Sequence, residues 1–174
     1  MPRNPLADAL GLDPDELTDL VAMLKEREET VATAESLTGG LVVAELTRIP
    51  GASLAVSGGI VAYDTQLKHS ILGVSAELLA SEGAVHPEVA RQMADGVRRA
   101  LAIDGRPADV GIATTGVAGP TMQDGRAPGT VYLGIALGEV IESVALELPG
   151  DRAGVRAATV LAAVDAVLAL LARD

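Results

Sequence analysis

The sequence predicts an α/β fold, specifically a three-layer α/β/α sandwich around a mixed, mostly parallel sheet. Three observations carry this expectation. In the early part of the chain, short apolar runs alternate with stretches of helical periodicity, the pattern of parallel strands joined by helices. Later, two strand-like runs follow one another across Gly138-Glu139, which adds an antiparallel hairpin. Finally, 49% of the 174 residues are hydrophobic, yet there are only two Tyr, no Phe and no Trp. The layers must therefore be packed with Val, Leu, Ile and Ala.

The elements follow in order. Asp13-Pro14-Asp15-Glu16 starts the first helix, with Asp13 as cap and Pro14 at the first helical position. Leu17, Leu20, Val21 and Leu24 form its apolar face, and a charged run from Lys25 to Glu29 ends it. Thr30 to Ala34 reads as a short strand. A helix is expected over Thr38 to Arg48, stopped by Pro50-Gly51. Leu54 to Tyr63 is strand-like, and the pair Gly58-Gly59 inside it marks a bulge or a close backbone approach. Asp64 to Leu72 reads as a short helix, and Ser75 starts another. His86-Pro87 opens a longer helix in which Val89, Met93, Val97 and Leu101 recur every four residues. Asp109 to Thr114 is a short apolar run. A Gly/Pro loop through Gly129 leads to the hairpin Val131 to Leu137 and Val140 to Leu148. Asp151 begins the last helix, with Val160, Val164, Val167, Leu168 and Leu171 as its buried stripe.

A chain of this length can close one core, so a single domain over residues 1–174 is expected, with 1–12 flexible. The net charge of −11 repels polyanions and argues against a nucleic-acid partner. The lack of cysteine removes disulfides, thiolate catalysis and cysteine-held metals, and fits a cytoplasmic protein. Met1-Pro2-Arg3-Asn4-Pro5 lacks the apolar run of a signal peptide. The apolar stretch near the C-terminus is broken by Asp165 and reads as too short and charged to span a bilayer, so no membrane partner is expected. His69 and His86 have no companions at metal-ligand spacing, and no nucleotide-cofactor fingerprint is present, so neither a metal nor a cofactor is expected.

Four segments offer chemistry. Glu35-Ser36-Leu37-Thr38-Gly39-Gly40 lies where a strand turns into a helix, a place for backbone N–H groups to face an anion or an oxyanion and for a serine to act as nucleophile. Helix capping by Ser36 or Thr38 is the competing use. Tyr63 and Lys68 flank Asp64-Thr65-Gln66-Leu67, and either could activate a serine; a solvated lysine on a short helix is the plainer reading. Thr114-Thr115-Gly116-Val117-Ala118-Gly119-Pro120 follows a strand and suits a ligand-binding wall, or an ordinary turn. Arg152 and Arg156 share a helix face after Asp151, fit to clamp a phosphate or to pair with Asp151 on the surface.

Taken together these segments resemble the CinA C-terminal domain family, the PncC-type nicotinamide-nucleotide amidohydrolases. The resemblance rests on Thr33-Ala34-Glu35-Ser36 with Thr38-Gly39-Gly40, Gly51-Ala52-Ser53, Gly59-Ile60-Val61-Ala62-Tyr63 with Lys68, Gly73-Val74, Gly83-Ala84-Val85, Thr115-Gly116-Val117-Ala118-Gly119-Pro120, Pro128-Gly129-Thr130-Val131 and Pro149-Gly150-Asp151-Arg152 with Val155-Arg156, all in the family's order. It implies hydrolysis of the carboxamide of nicotinamide mononucleotide by a metal-independent Ser/Lys mechanism, and a homodimer. By resemblance Ser36 is the nucleophile, Lys68 the general base and Tyr63 an assisting hydroxyl. Thr38, Gly39, Gly40, Thr115, Gly116, Gly119, Arg152 and Arg156 are the candidates for holding the substrate's ribose phosphate. Leu37 and Thr115 depart from the Cys and Ser common in the family. They keep open a regulatory mononucleotide-binding module, or an amidase for another small carboxamide.

Overall fold

Helix α1 (Pro14–Glu26) opens the part of the chain that the computed structural model describes, residues 14–173. Residues 1–12 and the expected cap Asp13 lie outside it. Leu17, Leu20, Val21 and Leu24 are all buried, as their helical spacing requires. Strand β1 (Val31–Glu35) follows and is buried throughout, because it lies inside the sheet. Next come α2 (Leu41–Arg48), a 3₁₀ turn (Ala52–Leu54) and β2 (Val56–Val61). Two short helices, α3 (Thr65–Ser70) and α4 (Ala76–Glu82), lead to α5 (Pro87–Ala100). Strands β3 (Val110–Gly116), β4 (Thr130–Leu137) and β5 (Val140–Glu147) complete the sheet, and α6 (Arg152–Leu171) closes the fold.

The sheet order is β2-β1-β3-β4-β5. Strand β1 pairs in parallel with both β2 and β3, while β4 runs antiparallel to β3 and β5. Every strand but β4 therefore runs the same way, the mixed, mostly parallel sheet expected. The glycine pair in β2 does both things its sequence allowed. The register slips between Val31 and Ala32, so that Ser57 is left over as a bulge. A side chain on Gly59 would in turn collide with Thr33 and Val43.

Strand periodicity sends alternate residues to opposite faces, and the two faces differ in kind. Val31, Val110, Ile112, Val131, Leu133 and Ile135 face α1, α2 and α6 in a core of branched aliphatics. Ala32, Ala34, Ala113 and Ala136 face α5. Gly111 and Gly134 share that second face, and there the helix backbone comes so close that a methyl on Gly134 would overlap the Ala90 carbonyl oxygen. The obstacle is backbone, which cannot swing aside. Gly134→Ala is therefore expected to lose about 3 kcal/mol, the upper end of overpacking costs, read as a lower urea midpoint at unchanged m.

Two expectations need correction. Helix α2 begins at Leu41, not Thr38, because Gly39 (φ 62°) and Gly40 (φ 97°) adopt left-handed conformations that no helix continues through. Helix α6, 20 residues long with a mean hydropathy of 1.9 in its most apolar window, does meet the length and composition needed to cross a bilayer. Its apolar character serves the interior instead: Val155, Val160, Val164, Val167 and Leu171 are buried against the sheet and α1, and Leu168 is half-buried beside them.

Candidate active site

The carboxyl ends of β1, β2 and β3 finish level with one another, with Glu35 opposite Val61 on one side and Thr114 on the other. Ligands of α/β sheets collect at this edge. The chain leaves β1 into the turn Ser36 to Gly40. The Ser36 N–H donates to the Thr114 carbonyl at 3.0 Å, which fixes the serine to the end of β3.

Lys68 reaches the same point from α3, whose N-terminus is capped by Asp64 accepting from the Gln66 N–H at 2.8 Å. The lysine is not the solvated surface residue that its charge suggests. It is 1% exposed, and its Nζ lies 3.1 Å from Ser36 Oγ. It also donates to the carbonyls of Ala62 (2.7 Å) and Tyr63 (3.4 Å), at the end of the β2 segment. Burial lowers its pKa from 10.5 to about 8, against the opposing pull of Asp64 and Asp124. At neutral pH a minor but substantial fraction of the amine is thus unprotonated.

A cavity of about 360 Å³ opens above the pair. Ser36 and Tyr63 line one side, Gly116 to Gly119 and Thr121 to Gln123 the other, and Arg152 supplies the one cation in this lining among the described residues. Arg152 donates to the Gly119 carbonyl at 2.9 Å and to the Tyr63 hydroxyl at 3.2 Å. Tyr63 is 60% exposed, and its hydroxyl accepts from Arg152.

The other expected substrate contacts are not in the cavity. Arg156 donates to the carbonyls of Leu37 (3.0 Å) and Thr38 (2.8 Å), so it does not form a clamp with Arg152. Thr115 is buried and donates to the Ala84 carbonyl at 2.6 Å. The start of α2 is not open to an anion either, because the Glu35 carboxylate already fills it. Its Oε2 accepts from Thr38 Oγ1 (2.6 Å), Gly40 N–H (2.9 Å) and Val42 N–H (3.1 Å), and its Oε1 from Val43 N–H (2.8 Å). Thr38, Gly39 and Gly40 therefore belong to the support of the turn, and neither Ser36 nor Thr38 caps the helix. Sequence reasoning passed over Glu35. The signal was a carboxylate ending an apolar strand just before two glycines and a helix, a place where a charge must find donors or not be buried.

A family model described as the CinA C-terminal domain matches residues 15–171. A CinA-like protein of Frankia casuarinae is 45% identical over 167 residues, 95% of this chain and 37% of that protein. The chain spans about a third of the length of the curated relatives it matches. Two solved structures of competence-damaged protein (CinA) superfamily members superpose on it at 32% identity. The one from Klebsiella pneumoniae gives a TM-score of 0.85 over 93% of this chain and 99% of that one. The one from Enterobacter cloacae gives 0.84 over 91% and 92%. Fold, motif order and kinship thus converge, and the chain belongs to the CinA C-terminal domain family.

Proposed function

We propose that this domain hydrolyses the carboxamide of nicotinamide mononucleotide to nicotinate mononucleotide and ammonia, with Ser36 as nucleophile and Lys68 as base. The observation that carries the reading is the 3.1 Å contact between Ser36 Oγ and a buried lysine amine at the foot of a polar cavity. An amine with its pKa lowered by burial can accept the hydroxyl proton as Oγ attacks the amide carbon. The Leu37 N–H directly follows the nucleophile and has no acceptor among the described residues, which makes it a donor for the tetrahedral oxyanion. The Lys68 ammonium then protonates the departing nitrogen, and ammonia leaves. A water that gives its proton to Lys68 attacks the acyl ester and frees Ser36. No metal takes part in this scheme.

Arg152 is the group suited to the substrate phosphate. It stands in the lining of the cavity, and the glycines of Gly116 to Gly119 let a ligand approach the backbone beside it. Arg152→Met is expected to raise KM about 30-fold, the loss of one charge-assisted contact, with kcat within about threefold. Steady-state kinetics measures the split.

The departures at Leu37 and Thr115 bear on the same reading. Leu37 is buried with the core cluster, and the Thr115 hydroxyl is turned to Ala84. Neither brings a charge to the cavity, and the nucleophile and base stay in place. Ammonia release from nicotinamide mononucleotide tests the proposal. Binding of the mononucleotide by calorimetry without ammonia would replace it with a binding module, and release only from other carboxamides would replace the substrate.

A further inference from the structure

We propose that Glu35 is a positioning residue for the Ser36 nucleophile, an internal anion that holds the turn in its reactive shape. This rests on the reading of Ser36 as nucleophile, though not on the identity of the substrate. The carboxylate is 1% exposed and is not part of the lining of the cavity over Ser36. Every one of its partners lies in the turn or the first residues of α2: Thr38, Gly40, Val42 and Val43. The Thr38 hydroxyl also meets the Thr114 hydroxyl at 2.8 Å. Thr114 is the residue whose carbonyl accepts the Ser36 N–H. A continuous path of hydrogen bonds therefore runs from the Glu35 carboxylate through Thr38 and Thr114 to the serine backbone. Arg156 holds the Leu37 and Thr38 carbonyls from the outside.

The chemistry of this site selects a carboxylate. Each of its two oxygens receives at least one backbone N–H, Val43 on one side and Gly40 with Val42 on the other. A glutamine in either amide orientation would point its NH₂ at a backbone N–H and leave donors facing donors. An aspartate is one methylene shorter than the reach from β1 to α2 requires. The arrangement also explains why an open helix start, a ready anion site in other proteins, does not serve the substrate here: the chain supplies its own anion.

The test is the rate at which a small serine-directed fluorophosphonate labels Ser36 in the whole protein, followed by mass spectrometry, beside the thermal midpoint. Glu35→Gln should label about a hundredfold more slowly than wild type, as for a nucleophile displaced by about an ångström, with the midpoint of the pH–rate curve unmoved because Lys68 is untouched. Thr38→Val should slow labelling about tenfold and Thr38→Ser should restore it, since the serine keeps the hydroxyl that links Glu35 to Thr114. The threonine pair carries the test if Glu35→Gln fails to fold. Wild-type labelling rates in Glu35→Gln, or in Thr38→Val where that pair decides, would overturn the proposal, as would a wild type whose Ser36 does not label. A wild type that labels normally but releases no ammonia from nicotinamide mononucleotide defeats the substrate reading and leaves the positioning role of Glu35 standing.

Discussion

Ser36→Ala is expected to abolish ammonia release, with kcat down about a millionfold, the scale of losing a serine nucleophile. The variant should remain folded. Among the described residues the Ser36 side chain bonds only to Lys68 Nζ, which keeps the carbonyls of Ala62 and Tyr63 as partners. The serine's own anchor to β3 is its backbone N–H, which alanine retains. Binding of nicotinamide mononucleotide should persist in calorimetry, because Arg152 and the glycine-rich wall are unchanged. Normal turnover by a folded Ser36→Ala protein would sink the covalent mechanism.

Lys68→Met should lower kcat about a thousandfold, within the range for loss of a general base. Two pH measurements follow from the same amine. The base must be neutral to act, so wild-type kcat/KM should rise about tenfold from pH 7 to pH 9, with its midpoint at about 8. Any activity left in Lys68→Met should lack that rise. Stability follows with its own sign. The folded pKa of Lys68 lies below the unfolded one, so between about 8 and 10.5 the unfolded chain binds a proton that the native one does not. Native stability gained from this group therefore increases with pH across that window, by about 3 kcal/mol in all. Urea denaturation of wild type and Lys68→Met at several pH values should show wild type gaining stability relative to the variant from about pH 8 upward. A constant difference would mean that the amine is not held neutral by burial.

Much of this was legible in the residues, for identifiable reasons. Apolar runs, periodicity and caps located the α-helices and strands among the described residues, while the 3₁₀ turn Ala52–Leu54 lay unseen across the start of a run read as strand. The hairpin around Gly138-Glu139 appeared where its turn chemistry put it. Ser36 and Lys68 could be named from the sequence. Their meeting could not, since it depends on β1 and β2 ending level and on α3 turning its lysine inward. Arg156, Thr38, Gly40 and Thr115 are ligand candidates in the sequence because polar and glycine residues near a strand end suit a ligand. In the structure each has a partner within the chain: Thr38 and Gly40 donate to Glu35, Thr115 to the Ala84 carbonyl, and Arg156 to the Leu37 and Thr38 carbonyls. A donor's partner lies across space, and nothing local in the chain tells an internal carboxylate from an external phosphate. The expectation for α6 failed for a different reason: Asp165 does not interrupt a helix that, over 20 residues, is long and apolar enough by length and composition to cross a bilayer.

The pairing of β1 with β3 also bears on how the protein is made. Ser36 and Lys68, the proposed nucleophile and base, both precede β3 in the chain, and by the end of α3 a ribosome has produced each of them. The carbonyl that anchors the serine belongs to Thr114, on a strand that emerges only after α4 and α5. A nascent chain halted before β3 thus carries both reactive groups without the support that aims one at the other. Long-range parallel pairing is a slow, late event in folding. Reactivity of Ser36 should accordingly appear together with the pairing of β1 and β3, so that its labelling doubles as a clock for that step of folding.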